Sequence, residues 1–295
     1  MNPGELWTNR SPRELSATLN DLGFEACANT VDMLLREELG LGRRQAIKDV
    51  GIGSCPDRDS QFRRIAELRR CFEMCGWPII SIDTKKKELL GNFYRSGVAR
   101  TNAEVHTFDH DFATAGTGKV VPYGVYDVVA NEALITLSLG SDTGELVVDS
   151  IRQWWNRMGR YRYAGANNML VLADSGGSNG YRVNLFRQKL WELSHHLQIP
   201  IRVAHLPSYC SKYNPIDHRL FSHVSRSLKG VIFRSVETVR DAVAKTTTST
   251  GLRVKVSVLN KIYQRGIKAT EDFLMGNFIL WDKQLTRYNY TTINY

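Results

Sequence analysis

A short apolar run that ends in a carboxylate and then in glycines occupies the middle of the chain: Met169-Leu170-Val171-Leu172-Ala173-Asp174-Ser175-Gly176-Gly177-Ser178-Asn179-Gly180. Its first five residues have the length and composition of a buried strand, and the glycines and serines that follow are typical of a chain leaving a sheet. Asp174 is therefore predicted at the carboxyl end of a strand, where an open α/β sheet presents groups to a ligand. Because aspartate also starts many turns, a functional interpretation requires partners elsewhere in the chain.

Length and composition indicate a folded protein with an excess of positive charge. The chain has 295 residues, of which 42% are hydrophobic and 23% charged, enough for one large core or two smaller ones. The net charge of +9 favours a polyanionic partner, since lysine and arginine gain affinity by displacing counterions from phosphates. No apolar run approaches the roughly 18 residues of a membrane span, and the first residues lack the pattern of a signal peptide. We therefore expect a cytoplasmic protein without a membrane partner.

The first 50 residues predict a helical segment followed by a linker. Ser11 is a favourable N-cap with Pro12 in the first helical position, and Gly23 ends the helix. A second helix over 28–39 follows after a short connection that contains glycine, which is the arrangement of a helix-turn-helix. A plain helical hairpin is the equal alternative. We assign residues 1–50 to a partial helix-turn-helix-like DNA-binding segment and linker.

Residues 57–260 predict a mixed α/β domain. Hydrophobic periodicity of 3.6 or 2 residues distinguishes its helices from its strands. Setting aside a weak strand-like run near residue 89, the strands and intervening helices follow the order β-β-β-α-β-α-β, over 77–83, 119–130, 134–139, 143–159, 169–173, 179–198 and 201–204. An amphipathic helix over 57–75 precedes them, a helix over 236–244 and a strand over 251–259 follow, and residues 261–295 are assigned to a C-terminal tail of uncertain structure.

Three carboxylates stand at the ends of these predicted elements. Asp83 follows the first strand, Asp174 the fourth, and Asp217 lies in the first turn of a helix that Asn214 and Pro215 begin. Mg²⁺ prefers oxygen ligands, and two such ions roughly 3.5 to 4 Å apart can support an in-line displacement at phosphorus. The commoner reason for an acid in a first helical turn is the helix dipole, so Asp217 alone proves little.

Other polar residues near these carboxylates have two interpretations each. Lys85, Lys86 and Lys87 either line a phosphate path or form a solvated turn, and Lys212 and Arg219 flank Asp217 as further candidate DNA contacts. His205 and His218 lie beside the predicted site and either assist catalysis or make structural hydrogen bonds, the commoner role of a positioned histidine.

Five short sequence motifs, in this order along the chain, resemble those of the Rhodopirellula-type DDE transposases of bacterial insertion sequences. The motifs are 81–93 (SIDTKKKELLGNF), 121–127 (VPYGVYD), 174–180 (DSGGSNG), 216–222 (IDHRLFS) and 246–254 (TTTSTGLRV). The resemblance spans nearly the whole chain and implies a ribonuclease H-like catalytic domain of class α/β. It further implies Asp83, Asp174 and Asp217 as catalytic metal ligands, Mg²⁺ or Mn²⁺ as cofactor, with two ions, and double-stranded DNA as partner. A homo-oligomer on DNA and a nucleoid location are also expected.

One departure from the family concerns the third carboxylate, because the family has glutamate where this chain has Asp217. The leading hypothesis is a metal-dependent transposase that cleaves a strand at the element end and transfers it to target DNA. The alternatives are an inactive DNA-binding remnant of a transposase and a ribonuclease H-like nuclease without preference for element ends.

Overall fold

A computed structural model describes residues 6–44 and 55–293 of the chain. The chain divides into two compact units, Met1–Gly53 and Ser54–Tyr295. The predicted linker before residue 50 falls partly outside the described residues. Within the described ranges, no helix is long and apolar enough to cross a membrane.

The smaller unit contains the two predicted helices, α1 (Pro12–Asp21) and α2 (Ala28–Glu37). Ser11 caps α1 in a capping box: its hydroxyl accepts from the Glu14 N–H at 3.3 Å, while the Glu14 carboxylate accepts from the Ser11 N–H at 2.7 Å. Val31 is the buried residue of the two helices. The other apolar residues of this helical pair are partly buried, as Leu15, Leu19 and Leu35 are, or exposed, as Met33 and Leu34 are.

The larger unit contains a mixed sheet flanked by helices. Its elements are α3 (Arg58–Met74), β1 (Ile79–Thr84), β2 (Glu88–Leu90), β3 (Gly118–Asp127), β4 (Glu132–Ser138), α4 (Gly144–Trp154), α5 (Arg160–Arg162), β5 (Met169–Ala173), α6 (Asn184–Leu197), β6 (Ile201–His205), α7 (Ser222–Ser227), α8 (Val236–Ala244), β7 (Arg253–Leu259), α9 (Glu271–Met275), β8 (Ile279–Trp281) and β9 (Asn289–Thr292). A π-helical turn, Trp155–Gly159, joins α4 to α5, and another, Asp217–Phe221, precedes α7.

The strands lie in the order β7-β4-β3-β1-β5-β6-β9-β8, with β2 paired to β3. β1 is antiparallel to β3 and parallel to β5, and β5 is parallel to β6. The predicted order β-β-β-α-β-α-β is confirmed by β1, β3, β4, α4, β5, α6 and β6. The α/β fold class and its ribonuclease H-like arrangement are confirmed with it.

Alternate residues along the strands supply two hydrophobic cores, one on each face of the sheet. Ile79, Leu170 and Leu172 pack with α3, α7 and α8 on one face. Ile80, Val171 and their neighbours pack with α4 and α6 on the other. We call these the α7 face and the α4 face.

The structure differs from the sequence-based expectation at two places. The predicted helix over 179–198 begins at Asn184, because residues 177–179 form a separate 3₁₀ turn after Asp174. Residues 261–295, expected as a tail of uncertain structure, contribute α9, β8 and β9, and β9 pairs with β6. The buried Asn289 side chain of β9 donates to Gln61 Oε1 of α3 at 2.7 Å. This long-range pairing carries no local sequence signal.

Gly124 permits close contact between the sheet and the segment that carries Asp217. It lies opposite Asp83 in the β1–β3 register. A Cβ atom at this position would be 2.7 Å from Ile216 Cδ1 and 2.8 Å from Phe221 Cε1. The helical segment therefore approaches the sheet closely at the level of Asp83.

We predict that Gly124→Ala destabilises the larger unit by about 1–3 kcal/mol, because the added methyl overpacks the contact with Ile216 and Phe221. Urea denaturation of the full chain measures the change. Gly165→Ala is the matched control, since a Cβ at Gly165 meets nothing within 4 Å. Equal stabilities of the two variants would contradict the close packing at Gly124.

Candidate active site

The parallel pairing of β1 with β5 places Asp83 and Asp174 side by side. Ser81 lies opposite Leu172 in the register, so two residues further along each chain Asp83 and Asp174 reach the same edge of the sheet. Both alternate onto the α7 face, and both side chains are half-buried. The placement of Asp174 at the end of a strand agrees with the sequence-based expectation.

Asp217 enters the same neighbourhood from a helix. The helical segment begins at Pro215, as predicted, and Asp217 is the first residue of its π-helical turn. The Asp217 N–H donates to the carbonyl of Asn214 at 3.1 Å. Asp217 is half-buried, and its charge acts on both Asp83 and Asp174.

The Asn214 side chain connects the three segments that carry the carboxylates. Its Nδ2 donates to the Asp174 carboxylate at 3.0 Å and to the Ile82 carbonyl at 3.3 Å, and its Oδ1 accepts from the Ser81 hydroxyl. Ser81 Oγ in turn accepts from the Ile216 N–H at 3.1 Å. The sequence indicated Asn214 only as a helix N-cap, and its reach across β1 and β5 is a tertiary contact without a local signal.

Burial raises the pKa values of the three carboxyls, and repulsion between them adds to the shift at Asp83 and Asp174. The pKa of Asp83 rises to about 7, first through desolvation and then through the charges of Asp174, Asp217 and Asp142. Desolvation and the charge of Asp217 raise the pKa of Asp174 to about 6, against the hydrogen bond from Asn214. Desolvation also raises the pKa of Asp217. A cation at this edge would relieve the repulsion.

The donor chemistry of this edge suits a hard divalent cation. Mg²⁺ is commonly held by one or two carboxylates with water and phosphate oxygens as further ligands, and the adjacent Asp83 and Asp174 provide such a pair. Within the described ranges, however, no group of three or more Asp, Glu, His or Cys side chains is arranged to hold a metal ion. Asp83, Asp174 and Asp217 as the ligands of a metal ion therefore stay a prediction.

A fourth carboxylate, which sequence reasoning missed, lies near Asp83. Asp142, in the loop before α4, accepts from Thr84 Oγ1 at 3.2 Å and from the Ser178 hydroxyl. It therefore connects the residue after Asp83 to the glycine loop after Asp174. The segment Ser141-Asp142-Thr143 resembles an ordinary helix start in sequence, and Thr143 does cap α4, so no signal distinguished Asp142.

The two histidines beside the site make structural hydrogen bonds. His205 is fully buried, its Nδ1 donates to the Asp174 carbonyl at 2.9 Å, and burial lowers its pKa to about 4. It is therefore neutral near pH 7 and fixes the backbone that carries Asp174. His218 is exposed, and its Nε2 donates to the Lys212 carbonyl.

The five candidate DNA contacts differ in accessibility. Lys85 is mostly buried and pairs with Glu88 at 3.1 Å. Glu88 also pairs with Arg95 at 2.7 Å, so Lys85 belongs to a local cluster of ion pairs. The remaining four candidates are exposed: Lys86, Lys87, Lys212 and Arg219.

The strand order, with acidic residues at one edge, places the protein in the ribonuclease H-like fold class. Within that class, the chain belongs to the family of the Rhodopirellula transposase DDE domain, whose model matches residues 1–294. The suspected family is thereby confirmed. No curated protein sequence matches the chain.

Solved complexes of Mos1 transposase are similar to this chain in structure. The paired-end complex with the left transposon end is 17% identical, with a TM-score of 0.47 over 82% of this chain and 72% of that chain. The Mos1 paired-end complex with Mn is 15% identical, with a TM-score of 0.46 over 81% and 72%. The corresponding complex with Mg is 15% identical, with a TM-score of 0.45 over 82% and 72%.

We predict that the stability of the metal-free protein falls as pH rises from about 4 to about 7. Asp83 and Asp174 have raised pKa values of about 7 and about 6, so the folded state binds their protons more tightly than the unfolded state does. Their contribution is complete below the ordinary value of 3.8 and is lost as pH rises through the folded values. Chemical denaturation in EDTA across this range measures the slope.

Asp83→Asn should flatten this pH dependence because it removes the group with the larger shift. Asp111→Asn, a change at an exposed loop aspartate, should keep the wild-type slope. If wild type and Asp83→Asn have the same pH dependence, the raised pKa assigned to Asp83 is wrong.

Proposed function

We propose that this transposase cleaves one DNA strand at the end of an insertion sequence and transfers the freed end to target DNA, using Asp83, Asp174 and Asp217. The observation that carries the proposal is the β1–β5 register, which brings Asp83 and Asp174 to one sheet edge in a chain that belongs to a transposase family. Asp217 follows from the same family motif and from its electrostatic contact with both aspartates.

The proposed cofactor is Mg²⁺ or Mn²⁺, with two ions held by the carboxylates of Asp83, Asp174 and Asp217. When bound, such ions lower the pKa of the attacking water and stabilise charge on the attacking and leaving oxygens. The three carboxylates supply the negative charge that attracts the ions. Asn214 and His205 hold Asp174 in place, one at its carboxylate and one at its carbonyl.

The proposed reaction consists of two displacements at phosphorus. In the first, a water oxygen bonds to phosphorus, the bond to the 3′ oxygen breaks, and a 3′-hydroxyl and a 5′-phosphate result. In the second, that 3′-hydroxyl oxygen bonds to a phosphorus of target DNA and the target's own 3′ oxygen leaves. The second step exchanges one phosphodiester for another, so it needs no external energy source. The exposed Lys86 and Lys87 follow Asp83 closely in sequence, so they are proposed to contact DNA phosphates next to the phosphate that reacts.

The close approach at Gly124 supports an adapted role for Asp217. Ile216 and Phe221 occupy the space that a side chain at Gly124 would fill, so the helical segment lies near the sheet opposite Asp83. A side chain one methylene shorter than glutamate, about 1.5 Å, suits a helix that lies closer. We infer that Asp217 is a fitted ligand rather than a damaged one.

DNA recognition is proposed for the smaller unit, α1 and α2. The two helices are joined by a short connection and leave some apolar residues exposed, among them Met33 and Leu34, which suits a helix-turn-helix that reads DNA. A homo-oligomer that pairs two element ends is part of the same proposal. DNA affinity should then fall steeply with salt.

We predict that Asp83→Asn and Asp174→Asn each abolish Mg²⁺-dependent cleavage of a duplex that carries the element end. Asp217→Asn should lower cleavage by at least tenfold, and Asp217→Glu should also lower it, because the longer side chain overfills the site. A gel assay of strand cleavage and strand transfer, at matched metal and salt, measures each rate.

Four results would separate the alternatives in this assay. Higher activity of Asp217→Glu than of wild type would identify a damaged site. Wild-type activity in Asp217→Asn would remove Asp217 from the site. If wild type bound the element end specifically but did not cleave it in Mg²⁺ or Mn²⁺, the protein would be an inactive remnant. If wild type cleaved DNA without preference for the element end, it would be a simple nuclease.

A further inference from the structure

A basic cleft lies at the β7 edge of the sheet, away from the acidic residues. It has a volume of about 470 Å³. Four cationic side chains line it, Arg157, Arg162, Arg253 and Lys255, together with the carboxylate of Glu132 and the side chains of Met158 and Tyr161. Glu132 is the only acid of that set, and its carboxylate accepts from Arg162 at 3.0 Å and from Arg253. The lining therefore keeps a clear excess of positive charge.

The cations come from two separate elements that face each other. Arg253 and Lys255 alternate along β7 with Val254 and Val256, which pack on the α7 face. Their side chains are therefore on the α4 face, where Arg157 and Arg162 of the helical segment after α4 meet them. All four are exposed, and in the parts of the chain described here no ion pair involves Arg157 or Lys255.

The sheet separates the basic cleft from the candidate active site. Asp83 pairs with Gly124, Gly124 with Ile135, and Ile135 with Val256, so three strand spacings, about 14 Å, lie between β1 and β7. Asp83 is on the α7 face and the cleft on the α4 face. The cleft and the carboxylates therefore lie on opposite faces of the sheet.

We propose that the basic cleft binds the phosphodiester backbone of a second DNA segment, distinct from the segment at the carboxylates. Guanidinium groups match phosphate oxygens in bidentate geometry, and three of the four cations are arginines. Tyr161 is 70% exposed, and the Arg160 guanidinium lies 4.7 Å from its ring centroid, which extends the cationic surface beyond the cleft. The proposal rests on the proposed function, since it assumes DNA as substrate.

Edge protection is the competing explanation for part of this charge. β7 is the terminal strand of the sheet, and lysine or arginine on an edge strand prevents pairing with other chains. That explanation accounts for Arg253 and Lys255. It does not account for Arg157, Arg160 and Arg162, which lie on a helical segment with backbone groups already bonded within it.

The test is DNA binding by the full chain with Arg157→Gln and Lys255→Gln combined, two changes that leave the ion pairs of Glu132 intact. Binding to a long duplex is measured in EDTA over a range of salt, so the result does not depend on cleavage. The double variant should bind more weakly, and the slope of log K against log salt should fall by about 2, roughly 0.9 for each lost phosphate contact. Arg265→Gln with Lys268→Gln, an exposed pair on another loop, should leave the slope unchanged.

Glu132→Gln supplies a change of opposite sign, because it removes the acid and releases Arg162 and Arg253 for phosphate. It should strengthen binding and steepen the salt slope. The proposal would be overturned if both cleft variants bound DNA as wild type does, or if the Arg265 and Lys268 control lost as much affinity as the double variant. It would also be overturned if the cleft variants aggregated while their DNA binding stayed unchanged. Cleavage by the Asp83 and Asp174 variants is scored separately, so failure of the proposed function is distinguishable from failure of the cleft.

Discussion

The parallel pairing of β1 with β5 is the constraint on which the rest of the site depends. A slip of one residue in that register would turn every side chain of one strand to the opposite face. Asp83 and Asp174 would then lie on different faces, and the Asn214 amide could no longer reach Ser81, Ile82 and Asp174 together. Apolar packing on both faces fixes the register, because Ile79 and Leu170 belong to one core while Ile80 and Val171 belong to the other.

The groups that position Asp174 carry no charge. Asn214 holds its carboxylate as a neutral amide. The buried His205 bonds its carbonyl, and because the pKa of His205 is about 4, this side chain is neutral at pH 6, near the pKa of Asp174. A lysine or arginine in place of Asn214 would neutralise the Asp174 carboxylate, and it would also compete with a cation. The site therefore keeps its negative potential at the expense of stability, a common property of functional sites.

Local patterns predicted the elements and failed where distant residues meet. The apolar runs of β1, β5 and β6 and the Ser11 cap of α1 were readable because each depends on neighbours in sequence. β9 was missed because its Asn-Tyr-Thr-Thr sequence becomes a strand only by pairing with β6 and by the contact of Asn289 with Gln61. Of the site, sequence motifs supplied the three aspartates predicted as metal ligands, whereas Asn214 and Asp142 acquire their partners only through the fold.

The position of β7 at the sheet edge has a consequence for how the protein is made. Its partner β4 begins about 120 residues earlier in the chain. At a synthesis rate of about 5–20 residues per second, roughly 6–24 s pass between the emergence of the two strands from the ribosome. During that interval the hydrogen-bonding edge of β4 has no intramolecular partner from β7, and contacts this distant in sequence also fold slowly. Each nascent chain thus passes through a stage in which β1, which carries Asp83, and β5, which precedes Asp174, are complete while one side of the sheet is open to association with another chain.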